Sequence, residues 1–260
     1  MMKKGIKVKA NDPNQASWDC LIDQIVLGNV IPVICPEILM AGDMKPFVNP
    51  HQVLLDTFSE YFELPEPCSS FSELMCDKTF LNSDEIRDVP DNIYSIVSET
   101  LHDNKDAMPP SILLKDILSI KQFPFVITTS FTSIVEDEMR KIWGEELKVI
   151  RFDNDPQAKH DIAGLEDMRK PTIFYMMGRA GDGAHKFVLT DEDMLDFCAS
   201  WVADTNNRPS NFVNALKDKY LLVLGNSYAD WLFRFIWYSM RRKSNGKNNS
   251  CYSSDTDNDE

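Results

Sequence analysis

The chain has 260 residues, enough to bury a large core in one α/β domain that carries an insertion. Its 41 acidic against 27 basic residues leave a formal net charge of -14, which repels phosphate backbones and anionic bilayers, so neither nucleic acid nor a membrane is expected as a partner. Six widely spaced cysteines, with no Cys-x-x-Cys pair and no His at finger spacing, exclude a zinc site or a disulfide framework and fit the reduced thiols of a cytoplasmic protein.

In chain order, the basic start runs into Asn11-Asp-Pro-Asn-Gln15 instead of an apolar stretch, so no secretory signal is expected. No apolar run approaches the ~18 residues of a membrane span. Residues 18–27 have helical spacing, with Trp18, Leu21, Ile22, Ile25 and Val26 on one stripe, Ser17 as N-cap and Gly28 past the last turn. Residues 30–34 form a short buried strand, although Pro32 lacks a ladder donor and is at home at edges, strand starts or bulges. From about 45 to 120 the apolar residues fall at helical spacing between prolines, which predicts a helical insertion after the first strand.

The α/β alternation resumes at Phe123. Strands are expected at 125–128, 147–152, 172–177 and 220–224, with helices at 133–143, from 191 onward and around 212–216. Thr190-Asp-Glu-Asp193 has the form of a capping box with Asp in place of Glu. Residues 229–242 are apolar on nearly every side, which suits a buried helix or one that docks a partner. Residues 243–260 turn to Ser, Asn, Lys and Asp and are expected to be a disordered tail or a linker, the domain proper spanning 1–242. The fold class is therefore Rossmann-like: a mostly parallel sheet with helices on both faces.

Four strands break abruptly into loops that the topology would gather in one crevice: Cys35-Pro-Glu37, Thr128-Thr-Ser-Phe-Thr132, Met177-Gly178 and Gly225-Asn-Ser227 with Asp230. In order and spacing these loops, with Val188-Leu-Thr-Asp-Glu-Asp193, resemble the sirtuin-like family of NAD-consuming domains over about residues 18 to 242. The run Asn29-Val-Ile-Pro-Val-Ile-Cys-Pro-Glu-Ile-Leu39, with Phe174-Tyr-Met-Met-Gly-Arg-Ala180 and Asp230-Trp-Leu-Phe-Arg-Phe235, looks like a divergent prokaryotic branch often found ahead of Toll/interleukin-receptor domains. That resemblance implies an antiphage or NAD-sensing setting, with NAD or ADP-ribose as the ligand class and a downstream effector domain as partner, while the aromatic helix at 229–242 or the insertion at 45–120 would be the contact surface of a homo-oligomer.

Residue by residue, the resemblance implies a catalytic Asn where this chain has Ser130 and a catalytic His where it has Met177. A serine can hold a water but is shorter than an amide, and a thioether takes no proton near neutral pH. His185 lies in the loop after the same strand and is read as a solvated side chain rather than a substitute base. In the first loop, Cys35 has bulk where a dinucleotide turn needs glycine, Pro36 has no N–H, and Glu37 brings negative charge to the diphosphate position; Glu37 is read either as filling the anion site from within or as an ordinary first-turn glutamate pointing at solvent. Cys35 reads as a small apolar residue, not a nucleophile. In the last loop Gly225, Asn226 and Ser227 are read either as groups presented to a ribose or phosphate, or as a plain strand-to-helix turn capped by Asp230. Thr128, Thr129 and Thr132 are read either as ligand-binding or as local caps. Three functions follow: a catalytically degenerate regulatory, nucleotide-sensing or assembly module; an active NAD glycohydrolase with a rearranged site; or a structural oligomerisation domain.

Overall fold

A computed structural model describes residues 13–41, 47–89, 91–152, 161–202, 209–225 and 251–254. The helix α1 (Pro13–Val26) leads into the strand β1 (Val30–Ile34). The insertion then supplies α2 (Pro50–Tyr61), α3 (Phe71–Leu74), α4 (Lys78–Leu81), α5 (Asn92–Asp103) and α6 (Ile112–Leu118). Alternation follows as β2 (Phe125–Thr128), α7 (Ile134–Trp143), β3 (Lys148–Arg151), β4 (Thr172–Tyr175), α8 (Asp191–Val202), α9 (Ser210–Leu216), β5 (Tyr220–Leu224) and β6 (Cys251–Ser254). All strand pairs are parallel, in the order β3-β4-β2-β1-β5-β6.

Both faces of the sheet are covered, which is why its central strands are apolar without alternation. Val30 and Ile34 point into one cluster with α2, α5, α6 and α7; Ile31 and Val33 point into the other with α8 and α9. Pro32 is accommodated in a central strand because β1 pairs with β2 only from Val33 onward, after the missing donor, while its pairing with β5 runs the whole length. The capping box forms as expected: Asp193 N donates to Thr190 Oγ1 at 3.3 Å and Thr190 N to Asp193 Oδ2 at 2.9 Å.

Three expectations change. The first helix starts at Pro13, so Ser17 lies inside it and does not cap it. Its apolar residues form two adjacent rows, of which Leu21 and Ile25 face the core while Trp18, Ile22 and Val26 are exposed. Within the expected tail, Cys251–Ser254 forms the edge strand β6 in register with Leu221 to Leu224. An edge strand satisfies backbone groups without needing an apolar face, so Cys-Tyr-Ser-Ser carries little sequence signal. The expected helix at 229–242, the segment holding Pro156 and His160, and Asn226, Ser227 and Asp230 lie outside the described residues. Among the described residues no helix is long and apolar enough to cross a membrane.

Candidate functional site

Because the strands are all parallel, the loops after β1, β2, β4 and β5 leave from one edge of the sheet. The chain winds from β1 to one side and returns to the other at β5, and a crevice at such a reversal is where open α/β sheets bind ligands. Cys35, Thr128, Met177 and Gly225 are thus brought to the same edge, as the sequence suggested.

The first loop is pinned. Cys35 is buried, its N donates to Leu224 O at 2.9 Å, and its side chain belongs to the cluster under α8 and α9. Pro36 and Glu37 open a single 3-10 turn, Pro36–Ile38. Glu37 is half-buried with its Oε2 out of solvent. Ile38 O accepts from the buried Ser111 Oγ at 2.6 Å, and Leu39 O from Ser111 N at 2.9 Å, which ties the turn to the start of α6. Gly225 has φ +77°, and a Cβ there would lie 2.8 Å from Ile38 Cγ2 and 3.0 Å from Ile38 N. The absence of a side chain at Gly225 is what admits Ile38 so close to the chain.

The second loop turns its hydroxyls inward. Thr128 Oγ1 donates to Ile34 O and accepts from Ser130 N, both at 3.1 Å. Ser130 is 1 % exposed, and its Oγ has three partners: Thr132 N at 3.2 Å, Thr132 Oγ1 at 2.9 Å and His51 Nε2 at 3.1 Å. A serine hydroxyl has one hydrogen to give and two lone pairs, so these three contacts saturate it. Two proton arrangements satisfy all of them, according to which imidazole nitrogen carries the hydrogen. Thr129 is half-buried, and its N donates to Ile34 O at 3.1 Å.

His51 is the site residue that the sequence did not reveal. It enters from the insertion, 79 positions away, on the first turn of α2, where Asn49 Oδ1 accepts from His51 N at 2.9 Å and Pro50 takes the first helical position. Its ring stacks on Phe131 with centroids 4.1 Å apart and planes 10° from parallel. Burial of the ring lowers its pKa to about 3, so the imidazole is neutral near pH 7. The Asn-Pro helix start was legible; the partner across 79 residues was not.

Met177 sits among Phe152, Phe197 and Met176 at 8 % exposure, and the space it shares with His185, Phe187 and Phe197 is about 10 Å³, room for about one water at most. Gly178, at φ +74°, passes so close to the returning chain that a Cβ would lie 1.9 Å from Lys186 O. His185 is exposed, as expected of a solvated loop side chain, and it also has partners. Although 56 % exposed, it holds Asp91 Oδ2 at 3.2 Å through Nε2 and Asp193 Oδ1 at 3.3 Å through Nδ1. Tyr94 OH also reaches both oxygens of Asp193, at 2.7 and 2.8 Å. These contacts form a clasp between the loop after β4 and the start of α5.

Among the described residues no three His, Cys, Asp or Glu side chains gather as a metal site. A parallel sheet with its loops at a winding reversal defines a Rossmann-like α/β protein. The model of the SIR2-like domain family matches residues 124–259, a little over half of the chain, and the protein belongs to that family. No curated protein matches its sequence. The match covers Ser130, Met177 and Gly225; Cys35, Glu37 and His51 precede it.

Proposed function

We propose that this sirtuin-like domain is catalytically degenerate, with neither NAD hydrolase nor deacetylase activity, and serves as a regulatory, nucleotide-sensing or assembly module of a bacterial defence-type protein. The observation that carries this reading is the saturated Ser130 hydroxyl: a group with no free donor or acceptor cannot position the water or ribose of a glycosidic cleavage. Met177 offers no proton acceptor at the family's base position, and losing a general base costs roughly 10²–10⁴-fold in rate.

The dinucleotide that the family implies fits poorly against the described loops. Pro36 withholds a backbone donor, Glu37 repels a diphosphate, and Ile38 on Gly225 fills the approach between β1 and β5. Glu37 thus acts as an internal anion, and sensing of NAD or ADP-ribose requires this turn to move. Changing Glu37 to Gly is expected to raise ADP-ribose affinity in a calorimetric titration; unchanged affinity would count against the internal-anion role. The defence setting and an effector domain or second copy as partner follow from the resemblance of residues 29–39 and 174–180.

One observation favours the rival glycohydrolase: His51 is an imidazole within hydrogen-bond reach of Ser130, the arrangement of an activated hydroxyl. Its depressed pKa argues the other way, because a base is most effective with a pKa near the working pH. Incubation of the parent and of His51→Ala with NAD separates the two. We expect no nicotinamide from either, whereas release by the parent that His51→Ala abolishes would establish the rival.

A further inference from the structure

At the opposite edge of the sheet, the amino ends of β1, β2 and β5 border a second cleft of about 270 Å³. Its floor is apolar and buried, made by Val30, Ile31, Phe125 and Met168; the exposed Val26 and Leu27 at the end of α1 form one wall. Three cations, Lys121, Arg169 and Lys219, border it, and among the described residues no carboxylate does.

That grouping is unexpected in a chain with 41 acidic residues against 27 basic. Elsewhere Lys105, Lys148, Lys170 and Arg179 each reach a carboxylate within 3.0 Å. Lys170, next in sequence to Arg169, turns to Asp167, whereas Lys121 and Arg169 have no acidic partner among the described residues. Lys219 Nζ donates to Gly28 O at 2.7 Å, which holds the ammonium at the cleft. Burial lowers the Lys219 pKa and the nearby Arg169 lowers it further, with Asp218 acting in the opposite sense. An anion in the cleft would relieve that repulsion.

We propose that this cleft binds a small organic anion with an apolar body, of the medium-chain carboxylate class, through Lys121, Arg169 and Lys219 at its rim and the β1–β2 side chains on its floor. The volume, just under the ~300–1,000 Å³ of drug-sized pockets, sets the ligand size. The apolar floor distinguishes such a ligand from a bare anion, and the cations distinguish it from a neutral lipid. The site lies at the other end of the strands from the SIR2-like crevice and does not depend on how that crevice is read.

The test is calorimetric titration of the full chain with octanoate, with octanol and with inorganic phosphate. A saturable octanoate site is expected, with octanol and phosphate each at least about tenfold weaker. Replacing the exposed Lys121 and Arg169 together by Gln should weaken octanoate at least about tenfold while leaving the thermal midpoint in place. Leu27→Asp, which adds an anion to the exposed wall, should abolish binding. The proposal is overturned if octanoate does not bind, if octanol or phosphate binds as tightly, or if the folded double variant binds like the parent.

Discussion

Ser130, His51 and Gly178 show how single positions set what the crevice can do. His51 makes a pH prediction whose sign follows from its depressed pKa. The unfolded chain takes up a proton near ~6.5, the folded one only near about 3, so stability falls as pH drops through that window. Replacing His51 with Phe, which keeps a ring against Phe131 and cannot titrate, should flatten the loss. Urea unfolding at about pH 7 and about pH 5 measures it, and an equally steep fall in the variant would show that His51 is not held neutral. Gly178 makes a steric one. With a positive φ and Lys186 O where a Cβ would be, Gly178→Ala should cost more than about 2 kcal/mol in urea unfolding, and a parent-like midpoint would mean that the turn relaxes cheaply. The residue types at 130 and 177 could be read from the sequence, because each is a local departure from a family pattern. The inward turn of Ser130 could not, since it depends on an imidazole supplied by a distant helix.

β1, β2, β4 and β5 and their loops were legible because each strand is short, apolar and ended by turn chemistry within a few residues, whereas β6 was not. The insertion was legible as helices, with Leu54, Phe58, Val97 and Leu114 buried at the expected spacing, but not in its role as a tether. α2 delivers His51 to the loop after β2, and α5 delivers Tyr94 and Asp91 to the loop after β4. This second connection is titratable. Burial pulls the His185 pKa down, but the carboxylates of Asp193 and Asp91 outweigh it and leave the pKa raised. The imidazolium's contribution to the clasp is therefore complete below the unfolded value near ~6.5 and disappears as pH rises through the folded pKa, while the Tyr94–Asp193 bonds remain. His185→Gln should lower stability at about pH 6 and converge with the parent at about pH 9. Hydrogen exchange of the amides at 186–190 reports the same loosening locally, and a parent–variant difference independent of pH would remove the imidazolium from the account.

The whole molecule is a SIR2-like scaffold whose described crevice residues pack against one another and against the core. Cys35 belongs to the core, Ile38 lies against Gly225, Ser130 and Thr132 bond to each other, and Met177 rests among phenylalanines. The fold class could be read from the order of strands and helices alone, because a buried parallel sheet imposes its apolar runs on the sequence. The packing of these loops could not, because it arises where the turns after β1 and β2 meet an insertion that shares no local pattern with them. The most direct measurement is nicotinamide release by the purified chain incubated with NAD, followed over time for the parent and for Ser130→Ala. No release above the protein-free blank from either protein is predicted; release by the parent that disappears in Ser130→Ala would contradict the account.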